Sequence, residues 1–124
     1  MVIREADGLL DISGTPLELG ALADRIERLS AGESISVHAD AAADPRPYQR
    51  SLAAFEARIS DGPVRVALSG DRVVVTASVP MMRTFASYFR FEPGSPRGTH
   101  AHHEWFDGNE YVARDSVPLI VSVR

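Results

Sequence analysis

The sequence contains no cysteine and no lysine. The missing cysteine excludes disulfide bonds and every catalyst that uses a thiol. All 13 basic residues are therefore arginine, and with 17 acidic residues they leave a net charge of −4. Because a nucleic-acid-binding surface needs an excess of positive charge, this balance argues against DNA or RNA as the partner.

Long apolar runs and targeting signals are also absent. No stretch approaches the ~20 consecutive apolar residues that a membrane helix requires. The segment Met1–Asp7 has neither the basic region nor the apolar core of a signal peptide. These absences predict a cytoplasmic protein without a membrane partner, and 124 residues suit a single domain.

The common catalytic motifs are missing as well. There is no Gly-x-Ser-x-Gly motif, and Gly94–Gly98 lacks the Lys-Ser/Thr ending of a phosphate-binding loop. Ser116 follows Asp115 in a pair typical of a turn. We therefore predict no catalytic residue and no cofactor, and we expect that the protein is not an enzyme.

The first half of the chain contains clear local signals. Asp7-Gly8 lies between two short apolar runs, which predicts a tight hairpin. Thr15 and Glu18 have the spacing of a capping box, and the apolar residues that follow recur at helical spacing. Ser34–Asp40 alternates between apolar and polar residues, as a half-buried strand does.

The second half has the same order of signals. Two β-rich runs flank Gly70-Asp71, and Val117–Val123 is β-rich. Ser78 can cap a second helix, whose predicted buried stripe is Met82, Phe85, Ala86 and Phe89. One segment is ambiguous by itself, because the apolar residues of Ser51–Ser60 fit either a helix or a strand.

The two halves align as an internal repeat. An offset of 63 residues places Leu22 on Phe85, and an offset of 64 places His38 on His102. The same comparison matches Ser51–Ile59 with the β-rich Ser116–Arg124, so we predict that Ser51–Ser60 is a strand. The prediction is one α+β domain, residues 1–124, made of two ββαββ repeats (about 1–62 and 63–124).

We expect these repeats to form one largely antiparallel, eight-stranded sheet with both helices on one face. The other face would then be polar and carry His38 and Asp40 together with residues of the second repeat. On this alignment the histidines on that face are solvent-accessible, whereas Val37 and Ala101 pack beneath the helices.

The segment Gly98–Tyr111 concentrates the polar chemistry, because it holds three of the four histidines and the only tryptophan. In a strand, His100, His102 and Glu104 share one face. That row has three interpretations. It is a metal site formed by these three residues, a hydrogen-bonded polar face, or a partner-binding surface. The candidate partner-binding residues are His100, His102, Glu104, Trp105, Arg97 and Tyr111.

Two motifs support a family resemblance. Leu-Asp-Ile-Ser-Gly-Thr before the first helix, and His-Ala-His-His-Glu-Trp-Phe followed by Asp-Ser-Val-Pro-Leu-Ile-Val, resemble the immunity protein 32 family of bacterial polymorphic toxin systems. The stronger similarity lies in residues 9–15 and 98–121. The resemblance implies a small protein that binds and neutralises a cognate toxin protein. A metal-binding protein or metal-dependent enzyme and a homodimer without a ligand are the alternatives.

Overall fold

A computed structural model describes all residues from Met1 to Arg124. It contains two helices, α1 (Pro16–Glu27) and α2 (Val79–Ala86), the second continued by a 3₁₀ turn at Ser87–Phe89. The strands are β1 (Val2–Ala6), β2 (Leu9–Gly14), β3 (Ser34–His38), β4 (Arg50–Ser51), β5 (Ala54–Ile59), β6 (Arg65–Ser69), β7 (Arg72–Ala77), β8 (His100–His103) and β9 (Leu119–Val123). Neither helix has the length and apolar character needed to cross a bilayer.

The local signals of the sequence are confirmed. Asp7 and Gly8 have φ of 50° and 78°, as the two central residues of a type I′ hairpin turn require. Thr15 Oγ1 accepts from Glu18 N at 3.1 Å, and Glu18 Oε1 accepts from Thr15 N at 3.0 Å, which completes the capping box. Ser78 caps α2. The ambiguous segment is β-structure but not one strand, because it contains the last residue of β4 and all of β5, which belong to different sheets.

The α+β class is confirmed, but the single eight-stranded sheet is wrong. There are two sheets, one of five strands in the order β4-β1-β2-β9-β8 and one of four strands in the order β3-β5-β7-β6. Both are mixed, because β2 pairs with β9 and β5 pairs with β7 in parallel. Alternation in the sequence predicts which side of a strand is buried, but it does not specify the neighbouring strand.

Each sheet combines strands from both halves of the chain. The hairpin β1–β2 adjoins β9–β8, and the hairpin β6–β7 adjoins β5–β3. The two arrangements correspond in register, since Leu10 lies opposite Leu119 and Val73 lies opposite Phe55. The chain changes sheet four times, between β2 and β3, between β3 and β4, between β4 and β5, and between β7 and β8.

The strands β3 and β8 depart from the predicted alignment. Val37 lies opposite Phe55, whereas His103 lies opposite Leu119. Leu119 and Phe55 are equivalent, because they pair with Leu10 and Val73, which are equivalent in the two hairpins. Val37 therefore corresponds to His103 and not to Ala101. The predicted equivalence of His38 and His102 is wrong by two residues. Because side chains alternate with a period of two, this shift does not change which side of each strand is buried.

One hydrophobic core of 22 buried residues joins both helices to both sheets. The predicted stripes are confirmed, because Leu22 on α1 and Phe85 on α2 are both buried. Phe89 packs edge-to-face against Phe85 and Phe55, at ring-centroid distances of 5.3 and 6.2 Å. This core supports β8 and the loop that follows it, where the predicted site residues lie.

Candidate functional site

His100 and His102 form an exposed pair on strand β8. This strand lies at the end of the five-stranded sheet and pairs only with β9. The two imidazole rings are 4.9 Å apart between centroids, with an interplanar angle of 78°. Nδ1 of His100 lies 2.9 Å from the carbonyl oxygen of Gly98. Because a carbonyl only accepts, Nδ1 donates in this contact, and the neutral tautomer that does so has its lone pair on Nε2.

Glu104 does not join this pair. β8 ends at His103, so the alternation that placed Glu104 on the same face stops before it. Glu104 is exposed, and no three histidine or carboxylate side chains of the chain converge in a group able to hold a metal ion. A site made by His100, His102 and Glu104 within one chain is therefore not formed. Arg97, the candidate preceding β8, is exposed.

The predicted polar face shared by both halves is also not formed. His38 lies on β3 in the four-stranded sheet, whereas His100 and His102 lie on β8 in the other sheet. All three are exposed, as predicted, and Val37 and Ala101 are half-buried. The accessibility of each histidine followed from alternation along its own strand, but their common surface did not.

The loop Glu104–Asp115, named here the aromatic loop, presents the largest exposed aromatic side chains of the chain. Phe106 and Tyr111 are 63% and 59% exposed. Trp105 is half-buried, and the guanidinium carbon of Arg114 lies 5.4 Å from its ring centroid. Such a contact is a cation–π interaction. The structure therefore brings Trp105 and Tyr111 into one loop, and it adds Phe106 and Arg114 to the predicted set.

The aromatic loop is fixed by its own hydrogen bonds and at its far end. Asn109 N donates to Phe106 O at 2.9 Å, and Asn109 Oδ1 accepts from Tyr111 N at 2.9 Å. Val64 N donates to Tyr111 O, and the buried Ala113 donates from its N to Val64 O at 2.8 Å. These bonds order the loop backbone before any partner binds.

His103, the last residue of β8, lies in the interior of the protein. It is 2% exposed, and its ring packs edge-on against Phe85 and Tyr88 at centroid distances of 5.0 and 4.9 Å. Nδ1 is buried without a hydrogen-bond partner. Burial lowers the pKa of His103 to about 4, although the residue's own backbone partly opposes the decrease. The ring is thus uncharged near neutral pH.

His103 also lines a cavity of about 170 Å³ beneath the aromatic loop. Phe106, Asn109 and Tyr111 line its outer side, and Phe85 and Tyr88 line it from the second helical segment. Alternation placed His103 on the side of the strand away from His102, with Ala101, but the sequence analysis did not identify His103 as a buried residue. Ala101, on the same side of the strand, is only half-buried, and the next residue, Glu104, is exposed. The burial of His103 therefore depends on the packing of α2 against β8.

A second polar feature was missed by the sequence analysis. Arg4 Nη2 donates to Asp11 Oδ2 at 2.9 Å, where the Asp11 side chain is only 4% exposed. Ser122 Oγ donates to the other oxygen of Asp11. Arg4 also donates to Arg46 O and lies over the Tyr48 ring, which ties the loop before β4 to the sheet. The charged and hydroxyl groups that hold Asp11 all come from within the chain, and only Nε of Arg4 is buried without a hydrogen-bond partner, so we assign the cluster to stability.

The geometry therefore offers two exposed features that the fold itself does not use, the histidine pair and the aromatic loop. The first can donate nitrogen lone pairs to a metal ion, and the second can insert aromatic rings into a partner. Comparisons with protein-family models, curated proteins and solved structures found no match for this chain.

Proposed function

We propose that the protein binds and neutralises a cognate bacterial toxin and does so without catalysing a reaction. This is the role implied by the resemblance to the immunity protein 32 family. The aromatic loop is the observation that supports it most directly. Large exposed aromatic side chains are uncommon on a surface that contacts only water, and Tyr, Trp and Arg are the residues most enriched at the energetic centres of interfaces.

The conformation of the aromatic loop favours binding. Its turn is closed by the Asn109 hydrogen bonds, and its far end is attached to Val64. A loop that is ordered before binding loses less conformational entropy in the complex, so more of the contact energy contributes to affinity. Tyr111 and Trp105 supply rigid rings with few rotatable bonds, which limits that loss further.

The charge of the aromatic loop indicates the kind of toxin surface that it fits. Glu104, Asp107 and Glu110 carry three negative charges beside the single positive charge of Arg114, and Asp115 at the end of the loop is paired with Arg65 at 2.9 Å. Acidic side chains around an aromatic centre attract a basic surface and raise the rate of association, mainly at low ionic strength. We therefore propose a toxin with a basic surface patch that surrounds an apolar pocket.

A toxin-domain gene immediately upstream of this gene would identify the cognate toxin, and co-expression with its product tests the proposal. We expect growth to be restored and a stable complex to elute in size-exclusion chromatography. Tyr111→Ala should weaken the complex by about thirtyfold or more, as expected for an interface residue worth at least ~2 kcal/mol. Leu17→Ala is the matched control, because Leu17 is 84% exposed but lies on α1.

Two results would contradict the proposal in different ways. Persistent toxicity without any complex would reject the pairing of these two proteins. A complex that tolerates both Tyr111→Ala and Phe106→Ala would retain the immunity function but remove the aromatic loop from the interface. Circular dichroism of each variant establishes that the exposed substitutions leave the fold intact, as surface changes away from special features usually do.

A further inference from the structure

We propose that His100 and His102 form half of a metal site for a divalent ion of the zinc type, completed by the same pair of a second copy of this chain. The ion would thus bridge two copies. The proposal differs from a site built on His100, His102 and Glu104, because it takes only histidine ligands and needs two chains. It does not depend on the proposed toxin.

The geometry of the pair suits coordination of one ion. Zinc–nitrogen bonds of about 2.0–2.1 Å at a tetrahedral angle place the centroids of two coordinated imidazoles about 5 Å apart. The observed centroid distance between His100 and His102 is 4.9 Å. Both side chains are exposed, so an ion can reach them without displacing the core. The spacing of the two rings is therefore that of two ligands of one ion.

The hydrogen bond of His100 supports the same inference. Metal-binding histidines usually donate their second ring nitrogen to a carbonyl or carboxylate, which fixes the tautomer and the ring orientation. Nδ1 of His100 has that arrangement with Gly98 O at 2.9 Å. In that tautomer the lone pair of Nε2 is available to a metal ion. The contact with Gly98 O also fixes the orientation of the ring.

The missing ligands point to a second copy. Zinc usually has four ligands, and the chain supplies no third histidine or carboxylate beside the pair. β8 is an edge strand, so its outer side can pair with another strand. An antiparallel pairing of two β8 strands centred on Ala101 places His100 opposite His102 of the second copy. Directly opposed residues lie on the same face with Cβ atoms about 4.5–5.5 Å apart, so all four rings would share one face.

The charge of the chain explains why the ion would be needed. Each copy has a net charge of −4, so two copies repel each other at low ionic strength. The paired edge is only four residues long, since β8 spans His100–His103. Four neutral imidazoles leave the full charge of the ion to offset that repulsion. We therefore expect a monomer without metal and a dimer with it.

Sedimentation velocity and calorimetry on untagged protein titrated with zinc chloride test this inference. We expect a monomer in EDTA, a dimer with zinc, and a stoichiometry of one zinc per two chains. His100→Ala and His102→Ala should each lower zinc affinity at least about tenfold and abolish the dimer. Because both residues are exposed, their thermal unfolding should match that of the wild type.

Two matched variants complete the test. His38→Ala removes an exposed histidine from the other sheet, and Glu104→Gln removes the nearest following carboxylate, so both should keep the zinc-dependent dimer. The inference is overturned if zinc does not bind, if it binds one per monomer, or if Glu104→Gln abolishes binding. Since no toxin is present, the result is independent of the proposed function.

Discussion

Replacing Phe85 by alanine is the most direct test of how the core supports the candidate site. The side chain is fully buried and makes edge-to-face contacts with Phe89 and His103, at centroid distances of 5.3 and 5.0 Å. Burial of a phenylalanine contributes about 1.5–3 kcal/mol, and each aromatic contact adds about 0.5–1.5 kcal/mol. We expect Phe85→Ala to lower the free energy of unfolding by about 3–5 kcal/mol, in the range of other buried phenylalanine truncations.

Urea unfolding followed by tryptophan fluorescence and circular dichroism measures this loss. Phe106→Ala is the matched control, because Phe106 has the same side chain but is 63% exposed. We expect the control to change stability by less than about 1 kcal/mol. A loss below about 1 kcal/mol for Phe85→Ala, or equal losses for both variants, would refute the packing of α2 on β8 described above.

Two further predictions concern buried polar groups. Because the pKa of His103 is about 4 in the folded protein and 6.5 ordinarily, the unfolded state binds the extra proton, and stability falls by about 3 kcal/mol as pH drops from about 6.5 to about 4. Urea midpoints across that range should show the slope in the wild type but a smaller one in His103→Phe, and equal slopes would contradict it. Asp11→Asn should cost about 2–4 kcal/mol in urea unfolding, since it leaves the partly buried Arg4 without its carboxylate. Asp115→Asn removes a solvent-exposed ion pair and should cost under about 1 kcal/mol, so similar losses would refute the buried role of Asp11.

The sequence predicted the features that depend on neighbouring residues. The type I′ turn at Asp7-Gly8, the capping box at Thr15 and the buried stripes of both helices all formed as expected. Each is determined within about one helical turn or one hairpin, so local chemistry is sufficient. The repeat also resolved Ser51–Ser60 as β-structure, where local helix propensity would have misled.

The partition into two sheets was not predictable in this way. Pairing of β2 with β9 joins residues near opposite ends of the sequence, and alternation gives no signal for such a partner. The same limit applies to the site. Glu104 has the correct spacing to join His102, but the strand ends one residue too early. His103 shares its side of the strand with Ala101, and only the packing of α2 makes it a core residue.

The exchange of strands between the two halves has a consequence for folding. Neither half contains a complete sheet, because each hairpin finds its parallel neighbour in the other half. The first half therefore cannot fold first and serve as a template for the second half. Pairs such as Leu10 with Leu119 require closure of nearly the whole chain, so the contact order is high and folding is slow relative to a helical protein of this size. Loss of either half exposes strand edges in the other, and the chain should therefore unfold in one cooperative step.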